Sequence, residues 1–479
     1  MKLSDLLKDI PILSCTADLD TEISGVSYDS RKTQPGHLFV AVTGYQTDGH
    51  AFIPKAVENG ASVVLCERIP QTGVPYIQVA SSRVALAQLG ANYYDHPAEK
   101  MTVIGVTGTN GKTTVTYLLK TVLERTLGAK VGLIGTIRNM IGDETIETER
   151  TTPESFELQA LFAEMVEKGC THVVMEVSSH ALFLHRVDCI PFKVGIFTNL
   201  TRDHLDFHGT MEAYRQAKAS LFRKCETGVF NTDDEQIEIT IPEATCRVLK
   251  VSTKQPADIQ AENISLSSQS VQFDAVSDGA SVPVLLNIPG GFTVYNALSV
   301  LGAARALGIP MKEAAAALET AELVKGRVEV VPTPGKEYTV LIDYAHTPDA
   351  LENVLRSVQG YCKGRVIAVF GCGGDRDRTK RPLMGEFAVK YADYTIITSD
   401  NPRTEEPAAI IRDILEGVAP DSSFEVVENR IEAICRAMDI AQKDDIIVLC
   451  GKGHENYQII GTKKYHLDER EVIAQYLSK

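Results

Sequence analysis

Short apolar runs ending in glycine or polar residues recur along the middle of the chain: MTVIGVTG, KVGLIGT, THVVMEVS and FKVGIFTNL. Each is continuously apolar and closed by turn-forming residues, the pattern of a strand buried on both faces of a parallel sheet. Helical stretches, TTVTYLLKTVLERTLG and SFELQALFAEMVEKG, separate them, so the region reads as repeated strand–helix–strand units. The pattern restarts after residue 329 with YTVLIDYAHTP, RVIAVFGCGGD, YTIITSDNPR and DIIVLCGKGHE. Residues 1–98 instead mix short strands with turns, and Pro35-Gly36 stands between two β-type runs. The expectation is an α/β protein of three domains, with a boundary near His96-Pro97. A small mixed α/β amino-terminal module (1–98) precedes a central parallel-sheet domain (99–328) and a Rossmann-like carboxyl-terminal α/β domain (329–479). Open parallel sheets gather ligands beyond the carboxyl ends of their strands, which places the expected active site between the last two domains.

A length of 479 residues exceeds what one core organises, and 44% hydrophobic with 23% charged residues fits a folded protein. The net charge of −15 opposes binding to nucleic acid while leaving room for a local basic pocket that holds a small anion. Ten cysteines without a CxxC pair read as buried reduced thiols. The opening MKLSDLLKDI interleaves charge with leucine and lacks the apolar core of a secretory signal, so a cytoplasmic location is expected. The uncharged stretch from Gly279 to Ala304 is broken by Pro283, Asn287, Pro289, Gly290, Gly291 and Asn296, which argues against a membrane span.

Chemistry concentrates at the strand ends. Thr107-Gly108-Thr109-Asn110-Gly111-Lys112-Thr113-Thr114 lies between an apolar strand and a helical stretch, the context of a phosphate loop. Glycines let backbone N–H groups approach phosphate oxygens, and Lys112 adds a mobile positive charge. Val106 occupies the place of the first glycine in GxxxxGK[ST], so only the GK[ST] half is met and a structural glycine turn is the alternative. Glu176 closes one buried strand, where its oxygens suit magnesium, and His204 follows another, where a histidine taken alone is more often a hydrogen-bonding residue than a metal ligand. Lys218 interrupts an apolar stripe of Met211, Tyr214, Leu221 and Phe222, and its plain reading is a stem that snorkels to water. Asp400-Asn401-Pro402-Arg403 also admits a plain reading, a proline turn with a surface arginine.

GTNGKTT resembles the ATP loop of the Mur ligases and of the related folylpolyglutamate synthases, and further motifs extend the resemblance to the Mur ligases over almost the whole chain. The resemblance implies ATP contacts at Gly108, Thr109, Asn110, Gly111, Lys112, Thr113, Thr114, Asn296, Arg327, Asp343 and His346. It implies Mg²⁺ held through Thr113, Glu176, His204 and Lys218, the last as N6-carboxylysine, with Lys112 completing the catalytic set. Burial would favour the neutral amine that attacks CO₂. The DNPR sequence matches the branch that adds meso-diaminopimelate rather than lysine, with contacts implied at Arg376, Asp400, Asn401, Pro402, Arg403, Gly451 and Glu455. An arginine fork suits the distal carboxylate, which lysine lacks. Ser30, Thr151, Thr152, Ser178 and Arg186 match contacts to a UDP-muramoyl dipeptide, UDP-MurNAc-L-Ala-D-Glu, while Leu184 stands where some members carry a glutamine. The implied activity is ATP-dependent amide ligation through an acyl phosphate, by a monomer acting on small molecules with neither nucleic-acid nor membrane partner. The rivals are a folylpolyglutamate synthase, which would lack the amino-terminal module and DNPR, and a phosphate-loop protein that binds nucleotide without ligating.

Overall fold

The apolar runs become strands of separate sheets in a computed structural model that describes residues 1–479 except 45, 46, 149, 323 and 479. In the amino-terminal five-stranded sheet the order is Ile12–Cys15, Tyr76–Val79, Val63–Cys66, His37–Val40, Gly25–Ser27. The runs flanking Pro35-Gly36 pair in parallel, because the 3₁₀ turn Ser30–Lys32 carries the chain back before the second strand begins.

The central sheet has eleven strands. Its parallel heart runs Val131–Ile134, His172–Glu176, Thr102–Thr107, Phe192–Phe197, Cys225–Asn231 and Arg247–Ser252. Helices Lys112–Leu127 and Gly291–Ala306 cover one face, packing Leu119, Val122, Leu298 and Leu301 on Ile104 and Val106. Helix Ser155–Glu167 covers the other, with Phe162 and Met165 packed in one core with Val103 and Val173. Such side chains contribute about 1.5–3 kcal/mol each when fully buried, which is why the strands are apolar on both sides.

The uncharged stretch divides into the strand Ala280–Leu286, at the sheet's edge with Pro283 at its centre, and the helix Gly291–Ala306. That helix is apolar all round because it is buried all round. Among the described residues no helix is long and apolar enough to cross a membrane.

The carboxyl-terminal sheet has the order Glu329–Val331, Thr339–Asp343, Ile446–Cys450, Val366–Phe370, Tyr394–Ile397, Phe424–Val426, parallel except for its first strand. A hairpin, Tyr457–Ile460 with Lys463–His466, stands apart and ties to Arg403, whose N–H donates to the Ile459 carbonyl at 3.1 Å. Cys66, Cys170, Cys372 and Cys450 are buried, but Cys15 and Cys189 are exposed, which corrects the expectation of uniformly buried thiols.

Candidate active site

The phosphate loop follows the strand Thr102–Thr107 and turns on two glycines that no other residue replaces cheaply. Gly108 (φ +144°) would place a Cβ 1.9 Å from Thr198 Oγ1, and Gly111 (φ +84°) one 2.6 Å from Asn296 Oδ1. Asn296, expected as a nucleotide contact, thus reaches the loop from the buried helix. Thr198 Oγ1 and Asn199 Nδ2 both donate to the Asn110 carbonyl, at 2.6 and 3.1 Å, and fix the loop from the neighbouring strand end. Lys112 Nζ folds over it, donating to the Gly108 and Thr109 carbonyls at 2.9 Å each. Helix Lys112–Leu127 starts here, so its free N–H groups and dipole favour an anion at this point.

Glu176, at 1% exposure, is the hub beneath the loop. Its carboxylate accepts from Thr113 Oγ1 at 2.9 Å, Thr136 N at 2.9 Å and Thr136 Oγ1 at 3.0 Å. Thr136 shares a hydroxyl hydrogen bond with Thr151 at 3.0 Å, and Thr152 Oγ1 donates to the Glu176 carbonyl at 2.8 Å. Ser178 N donates to Thr152 Oγ1 at 3.2 Å, while its own hydroxyl caps helix Ser179–Phe183. Arg186 donates to the Thr152 carbonyl at 3.2 Å and pairs with Glu154 at 2.7 Å. Four of the five residues matched to the muramoyl substrate therefore join, directly or through one another, the hydrogen-bond network centred on Glu176. Ser30 stays within the amino-terminal module, its carbonyl taking Asn59 Nδ2 at 2.8 Å, and Leu184 ends the helix that Ser178 begins.

Helix Met211–Ala219, capped by Thr210, aims Lys218 at the same loop. The side chain is 1% exposed, and Nζ donates to the Gly108 carbonyl at 2.7 Å while lying 4.7 Å from the Tyr214 ring centre. The snorkelling account is thereby overturned. Burial, reinforced by the Lys112 charge and opposed by Asp203, holds this ammonium well below the usual lysine range. His204 adopts φ +51° at the start of Leu205–His208, with Nε2 3.4 Å from Asp203 Oδ2 and its ring 4.9 Å from that of His180. Among the described residues no group of three or more His, Cys, Asp or Glu gathers as a metal site. The oxygens of Thr113 and Glu176 nevertheless suit Mg²⁺, and a carboxylated Lys218 would add to them.

Arg327 bridges the sheets: Nη2 lies 3.4 Å from Thr113 Oγ1, and its guanidinium stacks 5.0 Å from the Tyr344 ring centre. Asp343 accepts from Val328 N and Ala345 N at 2.8 Å each, so it braces the linker, residues 324–328, that carries Arg327 between the two sheets, and burial raises its carboxyl above the usual range. His346 is exposed, its Nδ1 2.8 Å from the Tyr344 carbonyl. A Cβ on Gly326 would fall 2.2 Å from the Gly453 carbonyl carbon, so linker and GKGHE loop meet backbone to backbone.

The DNPR residues gather in the carboxyl-terminal domain. Arg403 (φ +53°) donates to the Gly374 carbonyl at 2.8 Å, and Arg376 to that of Asp375 at 3.0 Å. A Cβ at Gly373 would lie 2.9 Å from Arg403 Nη1 and 3.9 Å from Arg376 Cγ, so the two arginines flank one glycine. Pro402 packs on Gly374, and Gly451 (φ +112°) leaves room for the Asp400 carboxylate. Asn401 Nδ2 donates to Glu455 at 2.9 Å.

Sequence reasoning passed over Arg381 and Lys452, both at 0% exposure. Arg381 binds Glu405 through two bonds of 2.8 and 2.9 Å, Asp413 at 2.7 Å and the Gly373 carbonyl at 3.3 Å. It clamps the loop of Arg376 to the loop of Arg403. Arg381 lies five residues after the expected contact Arg376, and Lys452 lies inside the GKGHE run, but nothing in their neighbours marks them as inward-facing.

Comparison with known proteins matches residues 22–94 to the Mur ligase family catalytic domain, 106–304 to the Mur ligase middle domain and 326–453 to the glutamate ligase domain of Mur ligases. The chain belongs to the Mur ligase family. This Mur ligase is 48% identical, over 482 residues covering 100% of both chains, to UDP-N-acetylmuramoyl-L-alanyl-D-glutamate--2,6-diaminopimelate ligase 1 of Clostridium acetobutylicum. It is 48% identical to the ligase of the same description from Caldanaerobacter subterraneus subsp. tengcongensis, over 100% of the chain and 99% of that protein. A solved structure of a UDP-N-acetylmuramoyl-L-alanyl-D-glutamate--2,6-diaminopimelate ligase superposes with a TM-score of 0.73 at 32% identity, covering 100% of the Mur ligase and 99% of its counterpart.

Proposed function

We propose that this Mur ligase joins meso-diaminopimelate to the D-glutamyl γ-carboxylate of UDP-MurNAc-L-Ala-D-Glu, consuming ATP and releasing ADP and phosphate, in peptidoglycan precursor synthesis. Full-length relatives of that description support the reaction. The observation that carries the reading is the buried Lys218 ammonium, 2.7 Å from a carbonyl of the phosphate loop. A protein that merely binds nucleotide has no use for it. A folylpolyglutamate synthase is opposed by the amino-terminal sheet and by the Arg403–Arg376 pair.

The loop amides and Lys112 hold the ATP phosphates, aided by Asn296 and Arg327. Thr151, Thr152, Ser178 and Arg186, with Ser30 in the first module, hold the muramoyl dipeptide so that its carboxylate meets the γ-phosphate in line. The resulting acyl phosphate is attacked by the diaminopimelate amine, and placing the reacting groups together between closed domains keeps water away from it. Arg403 and Arg376 take the distal carboxylate of diaminopimelate, while Glu455, held in place by Asn401, faces its distal ammonium, with Asp400, Pro402 and Gly451 shaping the turn. The low basicity of Lys218 suits carbamylation, in which the neutral amine bonds to CO₂ and releases a proton. Mg²⁺ bound through Thr113, Glu176, His204 and N6-carboxylysine 218 would neutralise phosphate charge.

The proposed domains are 1–98, 99–328 and 329–479, supported by sheets that lie within residues 12–79, 102–286 and 329–450. The enzyme acts as a cytoplasmic monomer on soluble substrates. Phosphate release with UDP-muramoyl dipeptide is the test, comparing diaminopimelate with lysine. Release should require both substrates and favour diaminopimelate. A preference for lysine overturns the specificity, and release independent of either substrate overturns the ligase reading.

A further inference from the structure

Lys452 lies at the tip of strand Ile446–Cys450, between Gly451 and Gly453, with its side chain wholly buried. Its ammonium donates to Glu455 Oε2 at 2.7 Å and to Asn401 Oδ1 at 2.8 Å. Ile459 N also donates to that Asn401 oxygen, at 2.9 Å, so the amide must turn its NH₂ to Glu455, where it donates at 2.9 Å. The three side chains close a triangle, the arrangement a buried ammonium requires.

The charges around this triangle are unevenly matched. Glu455 is compensated by Lys452, and Arg430 is paired with Glu469 at 2.8 Å, with Asp400 3.9 Å away. Arg403 and Arg376 donate to backbone carbonyls instead of carboxylates. Both guanidiniums are thus free to take a carboxylate from a ligand, whereas Glu455 already carries one ammonium.

We propose that Lys452 is a specificity-determining residue: by compensating Glu455 it makes the pocket accept a distal ammonium only when a distal carboxylate accompanies it. The inference rests on the diaminopimelate reading above. A distal amino-acid centre adds no net charge, its carboxylate meeting the arginines and its ammonium sharing Glu455. A side chain ending in ammonium alone adds one positive charge beside Lys452, where like charge in a poorly solvated site is strongly disfavoured. Lys452 acts through Asn401 and Glu455, so it is a positioning residue.

The test is the ratio of kcat/KM for lysine to kcat/KM for diaminopimelate, at saturating ATP and UDP-muramoyl dipeptide, in the full-length enzyme. A ratio is independent of the fraction of active protein, so partial misfolding does not mimic the effect. Lys452→Met should raise it by about tenfold or more, with the KM for ATP held within about twofold. Glu455→Gln should lower it. Lys452→Gln, which keeps a donor to Asn401, is read in the same way if the methionine variant does not accumulate. An unchanged or lower ratio in the Lys452 variants overturns the proposal, as does a rise in Lys452→Met and Glu455→Gln alike, the mark of a loosened pocket. A wild-type enzyme that prefers lysine overturns the diaminopimelate reading itself and is distinguishable from either result.

Discussion

Lys218 shows how a single side chain changes meaning with its surroundings. On helix Met211–Ala219 it sits in an apolar stripe, and sequence spacing alone fits a solvated stem. Its partner is the Gly108 carbonyl, 110 residues earlier, so burial and chemistry both come from tertiary contact. Lys218→Ala should lower turnover by roughly 10²- to 10³-fold, the scale of losing one electrostatic stabiliser, and added acetate or formate should restore part of it in a phosphate-release assay. Undiminished turnover rules the role out. The loop residues were readable because glycines, a lysine and a following helix carry their own mechanism, whereas the burial of Arg381 and Lys452 depends on partners distant in sequence, Glu405 and Asp413 for the first and Asn401 for the second.

At the scale of elements, four adjacent parallel strands in each of the central and carboxyl-terminal sheets were legible because burial on both faces demands an uninterrupted apolar run, whereas Cys225–Asn231, Arg247–Ser252 and Phe424–Val426, whose runs polar residues interrupt, were not. The hairpin Tyr457–His466 was not, since its second strand, Lys463–His466, is exposed along its whole length and offers no such run. The parallel pairing of Gly25–Ser27 with His37–Val40 was equally hidden, as three and four residues set no direction.

Between elements, Arg381 joins the loops of Arg376 and Arg403 through Glu405 and Asp413. Arg381→Met should destabilise the enzyme by about 3 kcal/mol in urea denaturation, the low end for breaking a buried ion pair because both carboxylates are partly wetted. The same variant should raise the KM for diaminopimelate more than that for ATP. Arg381 also holds the Glu405 carboxyl down at about 2, below its ordinary 4.5. A depressed folded-state value gives stability that is whole above pH 4.5 and fades as pH falls towards 2. The wild type should lose stability across that window, and Arg381→Met should flatten the loss.

For the whole molecule, Arg327 is the side chain that reaches from the linker to the phosphate loop while resting on Tyr344. Arg327→Ala should raise the KM for ATP roughly tenfold to a hundredfold, as expected for one charged hydrogen bond. The melting temperature should move by no more than about 2 °C, since its loss empties no core. A large shift in melting temperature with an unchanged KM would make it a structural strut instead.

The same proline that breaks the uncharged stretch stands in the middle of one of the two edge strands of the largest sheet. Such a strand is an open template on which another chain could extend the ladder, and Pro283 lacks the N–H that one rung of that ladder needs. The enzyme therefore carries, at the exposed border of its biggest sheet, a built-in check on fibre growth in a crowded cell.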